Sequence, residues 1–208
     1  PEAAVRDWLA ALDGVDETEL TAGFNQKTLR QWKRRAKEHR SFTVISHPVV
    51  RLHRAFCTHI VSTGEHSYRE IRDLLRTTYD LPLPVGAVDD GYSKEQHKTA
   101  FLKFVDFVKG NLNAQTSVRV DPSWASQSEI IRGFSEFALP DMIVREETLS
   151  RDLTCLAEAV GIQESPSCCA QDGDHPFALA EIYDDEIEQA VKQTYQRDYM
   201  IFGFRPLA

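Results

Sequence analysis

At 208 residues, 42% of them hydrophobic, the chain can bury one core of ordinary size, which makes a single domain with appendages the starting expectation. Its net charge of −8 argues against a broad nucleic-acid surface but leaves room for a local basic site. Apolar runs only a few residues long argue against a membrane-spanning helix.

In chain order, Val5, Trp8, Leu9 and Leu12 recur at helical spacing in an acidic first segment. Lys27, Arg30, Lys33, Arg34, Arg35, Lys37 and Arg40 then surround Trp32. This run reads either as a solvated helix face or as a basic lip over an anionic ligand. Residues 41–46 form a β-branched strand, and a helix over 49–62 follows, with Val49, Leu52, Phe56 and Ile60 on one face and Gly64 ending it. A helix from Tyr68 to Tyr79 leads to a Pro/Gly loop over 81–91. Ser93 caps a helix from Lys94 to Leu112, with Phe101, Phe104, Val105, Val108 and Leu112 inward. The turn-rich stretch Asp121-Pro-Ser-Trp-Ala-Ser-Gln127 precedes a helix to Phe134. Met142–Val144 is a second strand, and Glu146-Glu147 opens a helix stopped by Gly161. Residues 163–180 read as a mobile loop, and Asp184 to Tyr199 as one last helix. Few strands, each followed by a helix, predict a helix-rich parallel α/β sheet. Residues 1–40 form a helical N-terminal segment and 41–208 the α/β domain.

Of the four cysteines, Cys57 and Cys155 sit on apolar helix faces and read as buried thiols, while Cys168 and Cys169 are adjacent. There is no CxxC, so neither a metal site nor a disulfide framework is expected. No signal-peptide pattern or glycosylation sequon occurs, and a reducing cytoplasm is the expected setting. The first residue is Pro1 rather than Met, which suggests a trimmed piece of a longer chain.

The segment from Phe42 to Phe56 carries the strongest functional signal. A strand ends at Ser46, His47-Pro48 turns the chain, and a helix bearing Arg51 and Arg54 begins. Strand ends that feed helix N-termini hold anions in α/β proteins, because backbone N–H groups and the helix dipole both favour negative charge there.

Four pieces in order resemble the carbohydrate-type sulfotransferases, including the bacterial nodulation sulfotransferases. They are the Ser46–Leu52 turn, similar to an Arg-x-Pro-x-x-Arg-Leu core, and Trp124-Ala-Ser-Gln127, similar to a Trp-x-x-Gln element. The third is Asp141-Met-Ile-Val-Arg-Glu-Glu-Thr-Leu149 with Asp152, Leu156 and Gly161-Ile162. The fourth is Tyr195-Gln-Arg-Asp-Tyr-Met-Ile-Phe-Gly-Phe204. The resemblance implies a P-loop-like fold and transfer of sulfate from 3′-phosphoadenosine 5′-phosphosulfate to a hydroxyl of a carbohydrate or glycolipid, with no metal and no nucleic-acid polymer as partner. It also implies that the strand–turn–helix grips the donor's 3′-phosphate, through an Arg at the strand end and a Ser on the helix.

Ser46 stands where that Arg is expected, and Arg54 where the Ser is expected. Either the two groups have exchanged places around one phosphate, or the site has decayed. The family's first strand and its Lys/Arg-bearing loop for the 5′-phosphosulfate have no counterpart before Ser41; Gly23-Phe-Asn-Gln-Lys-Thr28 is the nearest approach. Activity as an enzyme therefore depends on a loop supplied upstream, and the alternative is a non-catalytic module that keeps the fold for binding or assembly. Candidate bases are His47, His53, His59, His66, His97 and Glu147, with His47 and Glu147 foremost. His53 and His59 are expected on the polar side of their helix. Trp124 reads either as a sugar-stacking platform or as a buried anchor. Ser46, Arg51 and Arg54 are the expected donor-binding residues, and loops 81–92 and 163–180 the expected acceptor surface.

Overall fold

A computed structural model describes residues 2–36, 39–135, 138–169, 173 and 175–207. Lys37 of the basic run and residues 170–172 and 174 of the expected loop lie outside them. The elements are α1 (Glu2–Asp13), α2 (Gln26–Arg35), β1 (Phe42–Ile45), α3 (Pro48–Ala55), α4 (Arg69–Thr78), α5 (Lys94–Leu112), α6 (Gln127–Ser135), β2 (Met142–Arg145), α7 (Leu149–Ala159), α8 (Leu179–Ile182), α9 (Asp185–Thr194) and α10 (Gln196–Phe202). No helix among the described residues is long and apolar enough to cross a membrane. Two compact units interleave in sequence: Pro1–Ser46 with Arg132–Asp172, and His47–Ile131 with Gly173–Ala208.

In the first unit β1 and β2 pair in parallel, with Phe42 opposite Met142 and Ile45 opposite Arg145. The side-chain period of two puts Phe42 and Val44 on one face with Met142 and Val144. That face packs with Trp8 of α1 and Leu149, Leu153, Leu156 and Ala157 of α7. Trp8 is anchored at its polar end, where Nε1–H donates to Ser165 Oγ at 3.0 Å and to Pro166 O at 3.1 Å. The Asp141 carboxylate accepts from the Ser41 N–H at 2.7 Å and from its hydroxyl at 2.8 Å, which fixes the register of the two strands at their start. The helix expected from Glu146 begins instead as a 3₁₀ turn, Glu146–Thr148, before α7. Cys155 is exposed, against expectation. It lies roughly 200° around α7 from Leu153, on the face away from the core. The Gly23–Thr28 stretch is a helix start, not a phosphate loop: Asn25 and Thr28 form a capping box for α2. None of the α2 residues is buried.

The second unit is built on α5, which packs on α8 and α9, while α9 also packs on α3. Its core is aromatic. Phe56 meets Phe101 and Phe104 at ring-centroid distances of 5.5 and 5.4 Å, and Phe104 meets Trp124 edge-on at 5.8 Å. Each such fully buried side chain contributes about 1.5–3 kcal/mol through area removed from water. The helix begun by α3 continues with π-helical turns over Phe56–Val61. Asn111, not Leu112, takes the buried position at the end of α5, because it accepts the Trp124 indole N–H at 2.9 Å and donates to Val118 O at 2.6 Å.

The expected single helix from Asp184 to Tyr199 is broken at Tyr195 (φ −116°, ψ 36°), which separates α9 from α10. The break lies between two residues with long-range partners. The Tyr195 hydroxyl donates to Trp124 O at 2.6 Å. Asp198, fully buried, accepts from the Ser126 hydroxyl at 2.7 Å, the Gln127 N–H at 2.8 Å and the Ser128 N–H at 2.9 Å. Asp198 thus caps α6 from 70 residues away in sequence. Asp198→Ala should lower stability by about 2–4 kcal/mol in urea unfolding, since a cap and several buried hydrogen bonds go together. Asp198→Asn should lose more than half as much, because an amide nitrogen would face an N–H donor. A loss under about 1 kcal/mol for the alanine variant would show that the cap is dispensable.

Candidate functional site

The turn into α3 is built by its own side chains. His47 is buried; its Nδ1 accepts from the Val49 N–H at 3.3 Å, and its Nε2–H donates to Arg205 O at 2.8 Å. The rings of Tyr199 and Phe204 pack edge-on against it at 5.6 and 5.4 Å. Pro48 brings no N–H. The anion cradle expected at this helix start is therefore poorer in donors than strand–turn–helix geometry alone implies. With both ring nitrogens engaged, His47 is a cap that also holds the C-terminal tail.

Arg51, on the next turn, donates through one terminal nitrogen to Ala125 O at 2.7 Å and through the other to Pro122 O. Burial lowers its pKa; the nearby Tyr195, Asp198 and Asp121 oppose that shift, and Arg54 adds to it. Arg51 thus ties α3 to the 121–128 turn, which Tyr195 and Asp198 grip from α10. Arg54 follows three residues later, half-buried, and the first turn of α3 holds no acidic residue. Arg51 and Arg54 thus place two guanidinium groups on one short helix. Ser46 belongs to the first unit, where it follows β1 and is buried. Glu147 also belongs to the first unit, exposed in the 3₁₀ turn before α7.

The other expected roles divide. Trp124 is fully buried and cannot stack on a sugar; it anchors its loop. His53 is 2% exposed and His97 is fully buried, so neither lies on a polar helix face. Both sit among aromatic rings of α3 and α5, where burial, the larger cause, and neighbouring charges hold their pKa values down, to about 3 for His53 and about 4 for His97. The half-buried His59 stacks flat on Tyr68 at 4.3 Å, and its Nδ1–H donates to His66 O at 2.8 Å.

Arg72 had no visible signal in the sequence. Buried at the side of α4, it donates to Ile60 O and Val85 O at 2.9 Å each, and from its last nitrogen to Pro84 O at 2.9 Å and Gly86 O at 2.8 Å. One guanidinium thus moulds the start of the 81–92 loop, and only a planar fork of five donors serves so many carbonyls at once. The 163–180 stretch is not all loop, since α8 begins at Leu179.

A model described as "Sulfotransferase family" matches residues 16–205. The chain belongs to the sulfotransferase family. No curated protein and no solved structure matches it. Membership makes sulfate transfer the general activity of the fold, with a nucleotide sulfate donor and an acceptor as its partners. The helix-rich architecture with a small parallel sheet agrees with it. In this sulfotransferase, the Trp-x-x-Gln and Tyr-x-x-Asp elements are two halves of one lock. Arg72→Met should make the 81–91 loop cleavable by protease at concentrations that leave the native chain intact. It should also cost about 2–4 kcal/mol in urea unfolding, as several buried carbonyls lose a charged donor. Unchanged cleavage would mean that the loop holds its shape without the fork.

Proposed function

We propose that this sulfotransferase moves sulfate from 3′-phosphoadenosine 5′-phosphosulfate to a hydroxyl of a carbohydrate or glycolipid, and that α3 forms the 3′-phosphate half of the donor site. Family membership over residues 16–205 carries the reading. Arg51 and Arg54 on α3, whose first turn holds no acidic residue, support it. A phosphate takes a fork-like cation and a hydroxyl from any direction. Arg54 supplies the cation from the helix. Arg51, held by carbonyls, stabilises the turn and adds field.

In the proposed transfer, the acceptor oxygen bonds to sulfur as its proton passes to a base, and the bond from sulfur to the bridging oxygen breaks. 3′-Phosphoadenosine 5′-phosphate leaves. Glu147, an exposed carboxylate, is the better base; His47 acts as a positioning residue. Charge on the bridging oxygen calls for a cation from a phosphosulfate loop. Family membership favours transfer over a non-catalytic module.

Titration calorimetry with 3′-phosphoadenosine 5′-phosphate tests the assignment. Arg54→Ala should weaken binding about tenfold or more, the loss of a charge-assisted bond of roughly 1.5–3 kcal/mol. Equal affinity in Arg54→Ala and the parent chain would sink the assignment.

A further inference from the structure

The second unit gathers a cluster to which the proposed transfer assigns no role. His53 and Cys57 lie four residues apart on the helix formed by α3 and its π-helical extension, so they share a face. His97 comes from α5. All three are buried, and their candidate ligand atoms lie within 4.8 Å of one another. His53 Nε2 is 3.1 Å from His97 Nε2; Cys57 Sγ is 3.5 Å from His53 Nε2 and 3.9 Å from His97 Nε2.

Those lengths are close to the edges of a tetrahedron around zinc. With Zn–N near 2.0–2.1 Å and Zn–S near 2.3 Å, tetrahedral angles place two nitrogens about 3.3 Å apart and nitrogen and sulfur about 3.6 Å apart. A fourth donor is at hand. His175 packs its ring edge-on against His53 at 5.7 Å, and its charge is felt by both His53 and His97. The outer ring nitrogen of His97 is also served: Nδ1 lies 3.2 Å from the buried Tyr92 hydroxyl. If Nδ1–H donates to that oxygen, Nε2 keeps its lone pair for a metal, the outer contact by which ligating histidines are oriented. π-Helical turns are rare and recur at functional sites, and here Cys57 lies in one.

We propose that His53, Cys57 and His97 bind a zinc ion, with His175 as the fourth ligand, in a closed structural site that joins α3, α5 and the segment leading to α8. Three imidazoles and one thiolate in tetrahedral array select zinc over harder cations. Binding therefore displaces the thiol proton: Zn²⁺ and the thiol give a zinc thiolate and H⁺. One positive charge remains, and Glu181 is the carboxylate that acts on His97 from nearby.

The test uses the untagged chain purified without chelator. Elemental analysis should find about one zinc per chain, the full occupancy of a closed four-ligand site. After zinc is stripped, cobalt(II) should give tetrahedral ligand-field bands and a thiolate-to-cobalt charge-transfer band, and the latter should vanish in Cys57→Ser. His175→Ala should weaken zinc binding by about tenfold or more, as loss of one donor from a closed site does. A parent chain that is folded by circular dichroism, yet holds little zinc and gives no charge-transfer band with cobalt, would overturn the proposal. The cluster would then be a hydrogen-bonded triad. Unchanged zinc affinity in His175→Ala would overturn the place given to His175. Both readouts come from the parent chain or from metal binding, independently of nucleotide affinity.

Discussion

Four N–H groups at the start of a helix need acceptors, and a carboxylate placed there meets both the hydrogen-bond deficit and the helix dipole. In this chain Asp198 does so for α6, fully buried, with three donors from Ser126, Gln127 and Ser128. The 121–128 turn takes its shape from that contact and its neighbours. Tyr195 holds the carbonyl of Trp124, Arg51 holds those of Ala125 and Pro122, and Asn111 holds the Trp124 indole. Burying a carboxylate is costly unless its lone pairs are taken and a cation is near. Both conditions are met, because Asp198 is among the charges acting on Arg51.

The start of α3 solves the same problem in the opposite way. Its cap is an imidazole that accepts from the Val49 N–H, and its first residue is a proline, so it needs few outside acceptors. Positive charge is then added by Arg51 and Arg54 rather than by bare amides. The helix that holds an internal anion through its backbone is α6; the helix proposed to meet an external anion is α3, through side chains. Arg72 repeats the theme, a buried cation serving backbone carbonyls so that a loop keeps a defined path.

What the sequence made legible follows from local physics. The apolar spacing of Val5, Trp8, Leu9 and Leu12 marked α1, and Ser93 marked the start of α5. The strands expected over 41–46 and 142–144 run over Phe42–Ile45 and Met142–Arg145. What stayed hidden depends on partners remote in sequence. Asn111 is polar at an inward position because an indole N–H waits there, and the break at Tyr195 serves contacts with residues 124–128. His53 looks polar on a helical wheel, but the core side of α3 holds Phe101 and His97, which no local pattern reports. Of the candidate site, the basic turns of α3 were legible, whereas the full engagement of His47 was not, since Arg205 lies 158 residues away.

The position of Asp198 also sets an order of events during synthesis. A ribosome releases the 121–128 turn and the α6 sequence long before residues 195–198, which complete them, have left the exit tunnel. Domains normally settle as their parts emerge. Here the helix start remains uncapped, and Trp124 lacks its carbonyl partner, until residues 195–198 arrive. Early collapse of the aromatic core around Phe56, Phe101 and Phe104 can proceed without them. The second unit thus becomes native only after residues 195–198 emerge, and a nascent chain halted before Tyr195 would present Trp124 and its turn to whatever chaperone waits at the tunnel mouth.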